Sequence, residues 1–314
     1  LGFINTQNCM NASFAAAQPK VGNIAFISQS GALGSAILNW ALQNDVGFTS
    51  FISLGNEADL NAADFLEALA EDKQTRVVGL YIEGVKNGYH FIEEAKKVSE
   101  RKPIIALKAG TTDVGVRAVS SHTGSLAGSD TAFSAAFRKA GILRVNKLEE
   151  LFELVLAFED QLLPKGRNVL IITNGGGPGI LTADACEKLG LDLPLLEFKL
   201  IEELQNLLPP HASLNNPLDI LGDADENRYD LVLKAGLESK NIHSIIIILT
   251  PQAMTPSDKV AEVICKVMET SDKPIIASFM GFNDDSVAVK TLLKNSIPNY
   301  PFPESAAFAL KMMY

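Results

Sequence analysis

The sequence is poor in the residues that usually advertise chemistry. Its 314 residues include three cysteines, four histidines and one tryptophan. Cys9, Cys186 and Cys265 are odd in number and far apart. That spacing excludes a disulfide framework and paired-thiolate metal ligation, and points to a reducing cytoplasm. Positive charge is also scarce: 27 Lys and Arg face 37 Asp and Glu, a formal net charge of −10. With no basic block, a nucleic-acid surface is not expected. Long apolar runs are missing too. SIIIIL at 244–249 is strand-sized and too short to span a bilayer, and no signal peptide is visible. No metal-ligand cluster can be read, and no metal site is expected. The chain lacks an initial methionine, and LGFINTQNCMNASF reads as the middle of a longer protein.

What is present is a globular balance, 47% hydrophobic and 20% charged, at a length that suggests two domains. Apolar, β-branched runs alternate with helical patterns. NIAFIS (23–28), VVGLYI (77–82) and PIIALK (103–108) are separated by amphipathic stretches, and NVLIIT (168–173), SIIIIL and KPIIASFMG (273–281) repeat the rhythm. This is the βαβ grammar of a parallel sheet covered by helices. KPIIALKAG (102–110) and KPIIASFMG are near-copies, and each half carries an acidic turn, LGNEADLNAADF (54–65) and LDILGDADENRYD (218–230). The pattern reads as two copies of one α/β domain, although doubly wound domains share much of it without duplication. QLLPKGRN (161–168) holds Pro and Gly and marks the boundary, giving domains of 20–163 and 164–314.

Each half has a small-residue turn between a strand and a helix. The first is Ser28-Gln29-Ser30-Gly31; the second runs from Asn174 through Gly175, Gly176 and Gly177 to Gly179. Glycine lets a ligand approach the backbone, and a helix start offers unpaired N–H groups and partial positive charge. Neither turn is a GxxxxGK[ST] loop or a full GxGxxG fingerprint, so each suits a small phosphate rather than a whole nucleotide. Packing alone can also require such glycines.

SSHTGSLAGSD (120–130) places His122 among small residues, on an expected loop at the C-terminal end of the first sheet, where open α/β sheets bind ligands. A neutral imidazole can attack phosphorus, given fixed dipoles around the phosphoryl oxygens and a carboxylate to orient the ring. Glu83 in LYIEGV is the candidate carboxylate. Ser121, Thr123, Gly124, Asn174 and Asp219 are further site-lining candidates. The ordinary alternatives are a hydrogen-bonded loop histidine, a solvated strand-end Glu83 and a turn-shaping Asp219. His90 reads as a surface helix residue, His211 and His243 as loop residues, and Cys186 as core.

Taken together, GNIAFISQSGALGSAI, YIEGV, KPIIALKAG, SSHTGSLAGSD, ITNGGGPGILTADA and NNPLDI resemble the NDP-forming acyl-CoA synthetases, the family of ADP-forming acetate–CoA ligase, related to succinyl-CoA synthetase. SHTGSLAGSD is the most specific of these phrases. The resemblance implies two flavodoxin-like domains and the interconversion of acyl-CoA, phosphate and ADP with free acid, CoA and ATP. It implies an acyl phosphate, then a phosphoryl group carried transiently on His122 with Glu83 in support. Ser30 and Gly31 match one phosphate site and Gly175 to Gly177 the other. It also implies what should accompany this chain: a CoA-binding domain, of which residues 1–19 would be the tail or linker, and an ATP-grasp module holding the nucleotide with Mg²⁺. Such enzymes are expected to be oligomers, and this segment alone should not complete the reaction. The competing reading is a ligand-sensing role, as in relatives fused to a lysine acetyltransferase, where the histidine is typically lost. A plain flavodoxin-class binding module lacks a reason for the histidine loop. A hydrolase lacks a Ser/His/Asp set.

Overall fold

The six strand runs read from the sequence all form strands, and among the described residues five further strands join them. The computed structural model describes residues 1–15, 18–43, 46–123, 129–283 and 285–314, and the side chains of Gln43, His122, Thr123 and Asp160 lie outside that description. The chain divides into two compact units, Leu1–Val155 and Leu156–Tyr314.

Unit 1 runs β1 (Gly2–Asn5), β2 (Met10–Ser13), β3 (Val21–Ser28), α1 (Gly31–Gln43), β4 (Phe48–Ser53), α2 (Ala62–Ala70), β5 (Val77–Ile82), α3 (Gly88–Ser99), β6 (Ile104–Lys108), α4 (Asp113–Thr123), α5 (Asp130–Lys139) and β7 (Leu143–Val145). Helix α6 (Leu148–Asp160) begins in unit 1 and ends in unit 2. The sheet order is β2-β1-β4-β3-β5-β6-β7. The strands from β3 to β7 are parallel and, numbered by chain order, lie as 2-1-3-4-5, the flavodoxin arrangement. The opening segment is the unexpected element. It forms a hairpin whose first strand pairs antiparallel with β4, Phe3 opposite Ile52 and Ile4 opposite Phe51. Its strands are four residues long, too short for a period-2 pattern to stand out.

Unit 2 runs β8 (Val169–Thr173), α7 (Gly176–Lys188), α8 (Phe198–Leu207), β9 (Leu218–Asp219), α9 (Glu226–Glu238), β10 (Ser244–Leu249), α10 (Ser257–Met268), β11 (Ile275–Phe279), α11 (Val287–Lys294) and α12 (Pro303–Met313). Its order, β11-β10-β8-β9, is again 2-1-3-4, and a parallel bridge from Ala277 to Asn299 stands where a fifth strand would lie. Strands β8, β10 and β11 are buried along their whole length. Helices on both faces leave no solvated side to such a sheet, which is why these strands are continuous Ile, Leu and Val runs. Each such side chain taken from water contributes about 1.5–3 kcal/mol.

The repeated sequence phrases have repeated jobs. The acidic turns start the helices after the second parallel strand. Asn61 caps α2 in a reciprocal box with Asp64, and Asp225 accepts from the Arg228 N–H at 2.9 Å to cap α9. The lysines of the two KPIIA phrases close the other ends of the same helices. Lys102 Nζ donates to the carbonyls of Leu69 at 2.9 Å and of Asp72. Lys273 Nζ donates to those of Gly236, Leu237 and Ser239 at 3.0, 2.7 and 2.5 Å. Each satisfies carbonyls that a helix end leaves without partners.

Candidate functional site

In a 2-1-3-4-5 sheet the connections leaving strands 1 and 3 diverge, and the crevice between their C-terminal ends is where ligands bind. In unit 1 those strands are β3 and β5. Ser28 ends β3; its hydroxyl donates to the Ser30 carbonyl at 2.9 Å and accepts from the Ser30 N–H at 3.1 Å. This closes a small turn that delivers the chain into α1. The Ser30 hydroxyl accepts from the Leu33 N–H at 3.3 Å, so Ser30 caps the helix. The amides of Gly31 and Ala32, in the first turn, have no intrahelical acceptor by helix geometry.

Gln29, between the two serines, ties three strand ends together. Its Oε1 accepts from the backbone N–H groups of Glu83 and, at 3.0 Å, Gly84; its Nε2 donates to the Gly84 carbonyl at 2.7 Å and to Glu57 Oε1 at 2.8 Å. Glu83 therefore leaves β5 on a fixed main chain, and its side chain is buried. A solvated strand-end role for Glu83 is set aside by that burial. Tyr81 lies two residues before Glu83, on the same face of β5. Burial first, and then the nearby Glu83 carboxylate, raise the Tyr81 phenol above its ordinary value. Glu57 is also buried, sits at φ 53°, and accepts from the Ala62 N–H at 3.3 Å at the start of α2.

One strand further, buried Lys108 ends β6. Its ammonium donates to the Ala109 carbonyl and lies 4.7 Å from the Phe133 ring centroid. Burial lowers the Lys108 ammonium, Arg144 adds to the lowering, and Asp130 and Glu83 oppose it. Asp130 opens α5 and pairs with Arg144 at 2.5 Å.

His122 is on helical backbone, in the last turn of α4, where the sequence suggested a loop. The helix forms because Val119 buries itself and packs over Gly110; a Cβ on Gly110, at φ +71°, would lie 2.8 Å from Val119 Cγ2. The side chains of His122 and Thr123, and all of Gly124, lie outside the described residues. Ser121 is exposed, its hydroxyl donating to the Arg117 carbonyl at 2.9 Å.

Unit 2 repeats the turn. The Thr173 hydroxyl donates to the Gly175 carbonyl at 2.8 Å and accepts from the Gly175 N–H at 3.1 Å. Asn174, which is buried, clamps the end of β10. Its Oδ1 accepts from Thr250 N–H at 2.8 Å and Thr250 Oγ1 at 3.0 Å, and its Nδ2 donates to the Thr250 carbonyl at 2.9 Å. Gly175 is the N-cap of α7 and supplies no side-chain cap, so Gly176 and Gly177 present bare amides. A Cβ on Gly177 would meet nothing within 4 Å. Asp219 reaches the same helix start. Its Oδ1 accepts from the Leu221 N–H at 3.0 Å, and its Oδ2 would be 3.2 Å from a Cβ on Gly176. It thus shapes its turn and also faces the glycine turn. Ser30, Gly31 and Glu83 belong to unit 1, and Asn174, Gly175 to Gly177 and Asp219 to unit 2.

The remaining candidates have structural places. His90 lies 3.9 Å from Glu94 on α3, His243 Nδ1 accepts from the Asn168 N–H at 3.3 Å, and Cys186 is core, its thiol pushed up to about 12 by burial. Among the described residues, no cluster of three or more His, Cys, Asp or Glu could hold a metal, and no helix is long and apolar enough to cross a membrane. Gln29, Tyr81 and Lys108 were not singled out from the sequence. The matched placement of Gln29 and Asn174 in ISQSG and ITNGG, and the i, i+2 spacing in YIE, were the available signals.

Residues 21–158 match the family described as "Succinyl-CoA ligase like flavodoxin domain", and residues 169–312 match "Ligase-CoA domain". The alpha subunit of ADP-forming acetate–CoA ligase II from Pyrococcus furiosus is 46% identical over 313 residues, covering 98% of this chain and 68% of the subunit. ADP-forming acetate–CoA ligase I from Archaeoglobus fulgidus is 42% identical over 316 residues, covering 100% of this chain and 44% of the enzyme. The dinucleotide forming acetyl-coenzyme A synthetase 1 of Ca. Korarchaeum cryptofilum, solved in complex with phosphate and ADP, superposes with a TM-score of 0.94 at 36% identity, covering 100% of this chain and 68% of that one. The chain thus spans about two thirds of the subunit relative and under half of the longer one.

Proposed function

Because the chain belongs to the family of ADP-forming acetate–CoA ligases, we propose that it is the histidine-bearing core of an acid–CoA ligase: acyl-CoA, ADP and phosphate in exchange for a carboxylic acid, CoA and ATP. Phosphate displaces CoA from the acyl carbonyl, leaving an acyl phosphate and the free thiol. A ring nitrogen of His122 attacks the phosphorus, the P–O bond to the acyl group breaks, and the carboxylate departs. The nucleoside diphosphate then takes the phosphoryl group from the histidine. Glu83 accepts a hydrogen bond from the other ring nitrogen, which fixes the tautomer and stabilises the cation that forms. Backbone amides carry the anion: those at Ser30 and Gly31 on α1, and those at Gly175 to Gly177 on α7. Ser121, Thr123, Gly124 and Asn174 line or support these places. Asp219, a carboxylate at the α7 start, sets the turn and makes that anion site selective for a ligand with its own compensating donors.

The carrying observation is Glu83. A carboxylate is buried at the end of the third strand, at the switch point, with its main chain held by Gln29. The unit that holds it also holds His122. A CoA-binding part and an ATP-grasp part, as further domains or a partner subunit, supply the rest, and Mg²⁺ travels with the nucleotide there. The whole assembly is cytoplasmic and oligomeric in this reading.

The test uses the complete enzyme and ATP labelled on its γ-phosphate. Acid-labile, base-stable label on His122, discharged by acid plus CoA and abolished in His122→Ala with the fold intact, is the expected outcome. Substantial turnover in His122→Ala would overturn the reading. An unlabelled protein that still binds nucleotide would favour a ligand-sensing role.

A further inference from the structure

The two units differ in how they begin the helix that leads to the fifth strand position. KPIIALKAG and KPIIASFMG match Ala106 with Ala277 and Lys108 with Phe279. Ala106 pairs with Arg144 of β7, and Ala277 with Asn299, so Arg144 and Asn299 also correspond. Helix α5 leads to the first of these and α11 to the second. In unit 2 the arrangement is local. Ser286 caps α11 by accepting from the Val289 N–H at 3.3 Å, Asn299 Oδ1 accepts from the Phe279 N–H at 2.8 Å, and Phe279 is core. In unit 1 the N-cap of α5, Ser129, makes no side-chain capping bond. The sheet holds the helix start instead. Arg144 pairs with the Asp130 carboxylate at 2.5 Å and donates to the Ser134 hydroxyl. Lys108 shares that face of the sheet, because it lies two residues beyond Ala106. It is buried where unit 2 has phenylalanine, with its ammonium 4.7 Å from the Phe133 ring centroid.

What precedes these helices also differs. Residues 280–286 join β11 to α11, whereas residues 109–129 join β6 to α5 and include α4 with His122. We infer that Arg144 and Lys108 are positioning residues for that longer connection: they grip the start of α5 from the sheet and so fix the downstream end of the segment that carries His122. This rests on the reading of His122 given above. A helix N-terminus carries partial positive charge, so two cations beneath it are unfavourable by themselves. Asp130 offsets one and the face of Phe133 the other. A buried ammonium is also a poorer core group than the phenylalanine of unit 2. Placed against both tendencies, the cations do what an apolar floor cannot, which is to hold one turn of helix by directed contacts. An uncapped first turn without that grip frays, and the end of the connection moves with it.

Asp130→Asn and Arg144→Gln each break the ion pair and keep a polar side chain. The first helical amide of α5 is that of Phe133, which donates to the Ser129 carbonyl at 3.1 Å. In the complete enzyme, hydrogen exchange at the amides of residues 133–136 should speed up at least tenfold in either variant, while α1 and α2 exchange as in the wild type. Phosphorylation of His122 from labelled ATP under single turnover should slow at least fivefold, with the KM for nucleotide unchanged and the final amount of label preserved. Combining the two changes should add little to either effect, because the pair is already broken. Arg144→Lys, which keeps the cation, should recover part of both. Lys108→Met should keep or raise the urea midpoint and still speed exchange in the same turn. Wild-type exchange at residues 133–136 in Asp130→Asn and Arg144→Gln overturns the inference. So does faster exchange there with wild-type phosphorylation, which would leave the role of His122 standing. A lower urea midpoint in Lys108→Met would make the lysine a core element and overturn its share of the grip. Absence of label on His122 in wild-type enzyme that binds nucleotide would instead overturn the reading of the site, and this inference with it.

Discussion

The two units close the same turn with the same atoms and then part company. In each, a hydroxyl at the end of the first strand pins the residue two further on, Ser28 to Ser30 and Thr173 to Gly175. In each, the next side chain is an amide that reaches across to the third strand. What the amide meets differs. In unit 2 it meets Thr250 and, at 3.4 Å, the Thr255 hydroxyl, so the neutral partners satisfy one another. In unit 1 it meets the Glu83 main chain and the Glu57 carboxylate, beside Tyr81 and Lys108. A neutral, self-satisfied network stabilises a turn. Ionisable groups gathered at a strand edge are the arrangement that shifts protons. The turn and its amide clamp are therefore shared by both units, and the set Glu57, Glu83 and Lys108 belongs to unit 1.

The largest effect should come from erasing that difference. Glu83→Thr gives unit 1 the residue of unit 2. Single-turnover phosphorylation of His122 should fall by about 10²–10⁴-fold, the usual worth of a positioned proton-handling group. Circular dichroism should stay unchanged, because Gln29 holds the main chain at this position and not the carboxylate. A variant that retained full phosphorylation would make the two turns equivalent in function as well as in form.

A smaller effect separates the two clamps. Asn174 is 1% exposed, and Asn174→Ala leaves the Thr250 N–H and carbonyl without their partner. Each buried polar group left unpaired costs about 1–3 kcal/mol. Gln29 is only half-buried, so water can replace it in Gln29→Ala and the loss of stability should be smaller. Urea denaturation should give a lower midpoint for Asn174→Ala than for Gln29→Ala. Hydrogen exchange should speed up at Thr250 in the first variant and at Glu83 and Gly84 in the second. Equal losses would mean the two amides do the same structural work.

The sequence carried the framework of this comparison and hid its detail. The parallel strands were readable because a sheet covered on both faces needs unbroken apolar runs, such as SIIIIL. The duplication was readable because the lysines of KPIIA and the capping turns recur in order. The opening hairpin was not, since four-residue strands carry too few alternations, and β9, two residues long, carries fewer. His122 and Glu83 could be named from local pattern and family resemblance. The role of Gln29 could not be read, because the Glu83 N–H that it holds is 54 residues away. Loop and helix were confused at His122 because helix α4 depends on Val119 meeting Gly110, a contact that propensity does not encode.

The smallest effect tests how faithfully the copies match away from the site. Lys102 and Lys273 close equivalent helices, with two carbonyl partners for the first and three for the second. Burial holds both ammonium groups below the ordinary lysine value, with Asp72 and Asp272 respectively the first of the opposing influences. In the unfolded chain each lysine titrates at its ordinary, higher value. Between the two values the unfolded state binds more protons than the folded one, so stability rises with pH through that window. Below it the charged form is buried at a cost, partly offset by the carbonyls. Lys→Met at either position removes a cap worth about 1 kcal/mol at neutral pH and also removes the alkaline rise. Urea midpoints measured from neutral pH to beyond the ordinary lysine value should show both. The gap between wild type and variant should widen at both positions as pH rises through the window. A gap that narrowed would mean the folded state prefers the charged ammonium, its carbonyl bonds outweighing burial, and the two lysines would then be ion-like caps rather than buried amines held in place by packing.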